Sequence, residues 1–193
     1  MSGEAGWQLG FEAARRLAEI GGVDVGAPLT GDEITQLQET FGFEFAADHR
    51  GFLSAGLPLG DRWPNWRSDD FDQLRQILSW PRAGVLFDVE HNSFWDQRWG
   101  VRPAGTRAAL AVAVERLATV PQLVPVYGHR YLPAGRATYG HPVLSVHQTD
   151  VICYGADLAD YISREFSQHR SIAWTDPRGL PRPTVAFWSD LIT

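Results

Sequence analysis

Residues 123–155, LVPVYGHRYLPAGRATYGHPVLSVHQTDVICYG, carry the pattern on which the fold turns. Leu123–Tyr127, Val143–His147 and Val151–Tyr154 are short runs rich in β-branched and aromatic residues, separated by glycine, proline and polar turn material, and they read as strands. The last two lie close enough to form a hairpin or one bulged strand. Upstream the period changes. In Thr106–Ala118 the apolar positions Leu110, Ala113, Val114, Leu117 and Ala118 mark an amphipathic helix. Leu9, Ala13, Leu17 and Ile20 recur at helical spacing, opposite Arg15, Arg16 and Glu19. Thr30 to Glu33 has the T-x-x-E form in which hydroxyl and carboxylate satisfy free amides at a helix start. Behind it Ile34, Leu37 and Phe41 form a stripe that Gly42 stops. A short helix follows over Ala46–Ser54. Asp69 or Asp70 then caps a helix with Phe71, Leu74, Ile77 and Leu78 on one face, and Pro81 is expected to end it. Val85, Phe87 and Val89 alternate with Leu86, Asp88 and Glu90, which reads as a strand with one polar face. Asp157–Phe166 returns to helix, and the tail TVAFWSDLI fits strand and helix equally. Helices first and strands later predict an α+β fold, with N-terminal helices packed on a mostly antiparallel sheet. Residues 1–29 are expected to add a helix and connector to a domain over 30–193, the whole forming one compact unit.

Composition narrows the function. All 17 basic residues are arginine, and a chain without lysine cannot use the phosphate-loop lysine, a Schiff base or the protein-kinase mechanism. Net charge is −6 and the arginines are scattered, so no basic stripe for nucleic acid is present and a cationic partner is favoured. The N-terminus lacks the basic and apolar segments of a signal peptide, and no apolar run is long enough for a membrane span. The single cysteine, Cys153, sits in an apolar run and is expected to be a buried thiol of a reducing, cytoplasmic compartment.

The run EITQLQETFGFEFAADHRGFLSAGLPLG over 33–60 resembles the opening of the SUKH superfamily, the Smi/Knr-type domains. Glu33, Phe41, Gly42, Phe52 and Leu53 occupy the matching positions, whereas Phe45-Ala46 stands where the family has Leu-Pro and His49 where an aromatic is common. GVLFDVEHNSFWDQRWG, PVYGHRYLP and HPVLSVHQTDVICYGADLADYI are similar to a bacterial branch of that group. The likeness spans residues 30–165. It implies an α+β fold and a role as an immunity protein that neutralises a cognate toxin by binding it, a nuclease or other cationic enzyme being the partner that an acidic chain suits.

The candidate contacts follow. Asp88 and Glu90, two apart on the expected strand, form an acidic edge; the alternative reading is a small hydrolase that uses this carboxylate pair or a histidine-bound metal. None of the six histidines forms H-x-x-H, H-x-x-x-H or H-E-x-x-H, so no metal and no cofactor are expected. No G-x-S-x-G elbow is present, and G-L-P-L-G at 56–60 reads as a turn. Eight tryptophans divide between core and interface. RWPNWR and SFWDQRW mix indoles with charge, as interface anchors do, and nominate Trp63, Trp66 and Trp95; stacking of Arg62, Arg67 or Arg98 on these rings explains the mixture as well. His129, Arg130 and Tyr131 form a second patch, in an expected turn between strands.

Overall fold

The computed structural model describes residues 2–167 and 185–192. The chain runs α1 (Ser2–Ile20), β1 (Val25–Gly26), α2 (Gly31–Phe41), α3 (Ala47–Ala55), β2 (Leu57–Pro58), α4 (Phe71–His91), α5 (Thr106–Ala118), β3 (Leu123–Tyr127), β4 (Arg130–Pro133), β5 (Val143–His147), β6 (Asp150–Gly155) and α6 (Leu158–Phe166). Single 3₁₀ turns lie at Gln97–Trp99 and Trp188–Leu191. β3, β4, β5 and β6 form an antiparallel sheet in that order, and β1 pairs with β2 in a small second sheet. The architecture is α+β. The β5–β6 hairpin turns at Gln148, which takes a left-handed φ of 58°.

Helices cover both faces of the larger sheet, because successive strand side chains alternate. Val124, Val126, Leu132 and Val143 join the core shared with Leu17, Ile34, Phe52 and Ile162 from the helices α1, α2, α3 and α6. Leu123, Tyr131, Leu144, Val146 and Val151 join the opposite core, with Val85, Val89, Ala109, Ala113, Leu117 and Trp188. On the first side α1 lies close against α3. A β-carbon on Gly10 would sit 2.1 Å from the Asp48 carbonyl oxygen, so glycine is required for this approach.

The α2 start forms as read: Glu33 N–H donates to the Thr30 hydroxyl at 3.2 Å, Thr30 N–H donates to the Glu33 carboxylate at 2.7 Å, and Gly42 caps the far end at φ 69°. Three expectations fail. Pro81 does not end its helix; α4 continues for ten residues to His91, so the strand expected over 85–90 is helix. An interior proline lacks the N–H that would bond the carbonyl four residues back, here that of Ile77. The buried Tyr131 hydroxyl donates to that oxygen at 3.3 Å, so the proline is tolerated because a neighbouring strand supplies the missing donor. Second, Arg130 and Tyr131 lie in strand β4 rather than in a turn. Third, α5 packs through the expected Ala113 and Leu117 but adds Ala109, while the expected Leu110 is half-buried and Val114 half-exposed. The tail forms the second 3₁₀ turn and one parallel bridge from Ile192 to Val151. Among the described residues, no helix is long and apolar enough to cross a membrane.

Candidate functional site

The expected contact residues do not form one face. Asp88 and Glu90 lie on α4, where residues two apart point about 200° from each other rather than to the same side. Asp88 is buried, and its carboxylate accepts from the Thr149 amide at 2.9 Å, the Thr149 hydroxyl at 2.6 Å and the Asn92 side-chain amide at 2.6 Å. Burial alone would raise its pKa; the Thr149 and Asn92 hydrogen bonds outweigh that and hold it below the usual aspartate value. Asp88 is therefore the peg that fixes α4 to the β5–β6 turn, and Glu90 alone faces solvent. The carboxylate-pair hydrolase loses its geometry.

Trp63 and Trp66 are buried. Trp63 stacks on Phe166 at 5.3 Å and Trp66 meets Phe45 edge to face at 5.2 Å. Trp95 is half-buried; its indole N–H donates to the Gly100 carbonyl at 2.7 Å and its ring meets Trp99 at 5.2 Å. The expected arginines stack elsewhere: Arg62 lies over Tyr127 and Arg98 over Phe187, while Arg67 binds Glu33 and the carbonyls of Ala27 and Pro28; of the nominated rings Trp95 does carry a guanidinium, that of Arg102. Tyr131 is buried against α4, and burial pushes its hydroxyl up to about 12. Among the described residues, no group of three or more histidine, cysteine, aspartate or glutamate side chains is placed to hold a metal ion.

What the fold does assemble is a groove of about 570 Å³ between α4, the 58–65 loop and the β3–β4 turn. Trp80 and Leu59 flank it as large apolar side chains left open to solvent, 51% and 45% exposed, with Ile77 and one edge of Trp63 inside. Gln73, Asn65, Asp61 and Arg62 provide the polar lining. The loop is pinned near its start and at its middle: Leu59 N–H donates to the Asp24 carbonyl at 2.8 Å, and Gly128 N–H to the Arg62 carbonyl at 2.7 Å. Gly128 takes φ 53°, a left-handed backbone that favours glycine, and a β-carbon there would meet the Arg62 guanidinium at 3.0 Å, so a larger residue would also have to displace that side chain.

Behind the Gly128 end the sheet brings a basic and aromatic row together. Tyr127, Arg130 and Ser145 are cross-strand partners on neighbouring strands. Arg62 sits 4.5 Å above Tyr127 and Arg130 3.7 Å above Tyr154, and Arg130 donates to the Ser145 hydroxyl at 3.0 Å. The Nε of Arg130 and the hydroxyl of Tyr161 are buried without a hydrogen-bond partner. Half-buried His129 lies among these cations. Its burial, then the charges of Arg130, Arg62 and His147, depress its pKa.

Of the sequence-nominated residues, Trp63 lines the groove and His129 and Arg130 lie in the basic row behind it, while Trp80 and Arg62, which line the groove, were not singled out as contacts. Trp80 could have been found from phase. The buried positions Leu74, Leu78, Pro81 and Val85 define the inner stripe of α4, and Trp80 falls outside it. That stripe became readable only once Pro81 was placed inside the helix. No protein-family model, curated protein or solved structure matches the chain.

Proposed function

We propose that this protein is a protein-binding module whose contact site is the groove between α4 and the 58–65 loop, and that toxin neutralisation, the role implied by the SUKH resemblance, is the activity it serves. The observation that carries the reading is Trp80: half of a large indole stays in water beside Leu59, at the mouth of a groove with a polar lining. An aromatic anchor beside apolar floor and hydrogen-bonding rim is the composition of an interface hot spot. Placement on α4 and on a loop pinned at Leu59 and Arg62 keeps it pre-organised, so little ordering entropy opposes docking. The buried Asp88 is saturated by structural hydrogen bonds, which favours binding over general acid–base chemistry at this carboxylate.

The test is surface-immobilised kinetics against candidate toxin domains expressed from the genes that neighbour this one. Trp80→Ala is expected to accelerate dissociation and weaken affinity by about tenfold or more while the melting temperature stays within error. Wild-type affinity in the variant would remove the groove from the interface.

A further inference from the structure

Resting on the groove as a protein-binding site, we infer that its occupant is a proline-rich segment of the partner, extended as a polyproline II helix and flanked by a basic residue that meets Asp61. The apolar lining is made of rings and short aliphatic surfaces. Trp80 stands half in water at the mouth, and Trp63, Leu59, Ile77, Pro58 and Pro64 line the rest. Open aromatic grooves of this kind accept proline rings, whose flat apolar faces need no hydrogen bond.

The polar lining is biased towards donors. The Asn65 side-chain oxygen already accepts the Arg67 N–H at 3.3 Å, which leaves its amide nitrogen as the unpaired end. The side chains of Gln73 and Trp80 form no hydrogen bond among the described residues, and an indole N–H can only donate. The complement is a backbone with free carbonyl oxygens and few N–H groups of its own. An α-helix does not supply it, because its carbonyls are spent within the helix. A β-strand needs a row of unpaired backbone groups, whereas one wall here is helix α4 and the loop has already committed Leu59 N–H and the Arg62 carbonyl. A polyproline II segment has no internal hydrogen bonds, and its prolines carry no N–H. Its stiffness also lowers the entropy lost on docking.

Charge sets the flank. Asp61 is exposed in the lining and forms no ion pair among the described residues. Arg62, the cation beside it, is held over the Tyr127 ring at 4.5 Å. With a net charge of −6 over the whole chain, arginine or lysine is the flanking residue that complements this end.

The experiment titrates the intact protein with a capped ten-residue peptide of prolines interrupted by two leucines and ended by one arginine. Three controls replace the prolines by alanine, replace the arginine by glutamate, or use an amphipathic helix of leucine and lysine. The Trp80 indole N–H resonance, assigned by its loss in Trp80→Phe, reports occupancy and gives affinity. The proline peptide is expected to bind about tenfold or more tightly than the alanine peptide and to move that resonance. Trp80→Phe keeps a ring and removes the donor, and should weaken the proline peptide about three- to fivefold. Asp61→Asn should weaken it about twofold and reduce its salt dependence. Both variants are surface changes checked by thermal unfolding. Equal affinity for the proline and alanine peptides, or tighter binding of the helix, would overturn the polyproline assignment. Equal affinity for the arginine and glutamate peptides would overturn the basic flank. If no peptide binds, the inference fails, and Trp80→Ala against the candidate toxin domains then shows separately whether the groove reading fails with it.

Discussion

Replacing Tyr131 by phenylalanine removes one oxygen from a buried ring and leaves its packing in place, so the change isolates the hydrogen bond that lets α4 run through Pro81. Proline withholds an N–H from the Ile77 carbonyl, and Tyr131 supplies the substitute donor at 3.3 Å, long for an O–H donor. A neutral bond at that distance belongs at the lower end of the usual range, but its loss also leaves a carbonyl without its donor; together the cost is about 1 kcal/mol. For a chain of this size that is about 2–4 °C in Tm. The context dependence is the sharper claim. In a Pro81→Ala background residue 81 regains its N–H and donates to Ile77 itself, so Tyr131→Phe should then cost less than about 0.3 kcal/mol. Urea unfolding of the four proteins, with unchanged slopes, gives a coupling energy of about 1 kcal/mol between residues 81 and 131. An equal loss on Tyr131→Phe in both backgrounds would refute the donor-substitution account and make Tyr131 a packing residue only.

Two further outcomes are expected beside the binding experiments above. On α5, Ala113→Asp should cost about 4 kcal/mol or more because it places an unpaired charge against α4, whereas Val114→Asp should stay within about 0.5 kcal/mol by thermal unfolding; the reverse order would put Val114 rather than Ala113 in the buried face. Burial raises Asp48 to about 6, so its contribution to stability is present below the unfolded value near 4 and is lost as pH rises through 6. Burial lowers neighbouring His49 to about 3, so its contribution is present above pH 6.5 and is lost as pH falls toward 3, and the two slopes oppose each other between pH 4 and 6. Asp48→Asn should leave the histidine slope alone, gaining on the wild type by roughly 2–3 kcal/mol from pH 4 to 6 in urea titrations; parallel wild-type and variant profiles would show that Asp48 keeps an ordinary pKa.

Local chemistry was legible wherever neighbours in the chain were enough to satisfy it. The Thr30–Glu33 box, the Gly42 stop, the β5–β6 hairpin and the Asp157 start of α6 each close their hydrogen bonds within a few residues. Burial of Cys153 likewise followed from its apolar run. What only the tertiary structure decided is where a distant group completes a local deficit. Pro81 looked like a helix end because its missing donor comes from Tyr131, fifty residues further on, and the strand read over 85–90 followed from that ending. Alternation over six positions does not distinguish a strand from a helix covered on more than one side, and α4 lies against both the sheet and α5. The acidic edge dissolved for the same reason: once 88 and 90 are helical, one faces Thr149 and the other faces water. The groove, too, is set by three segments far apart in sequence, which leave Trp80 open to solvent while Trp63 and Trp66, in equally polar surroundings of sequence, are enclosed by Phe166 and Phe45. Tryptophan's preference for burial is shared by all of them; which indole stays in water depends on what the rest of the chain has already covered.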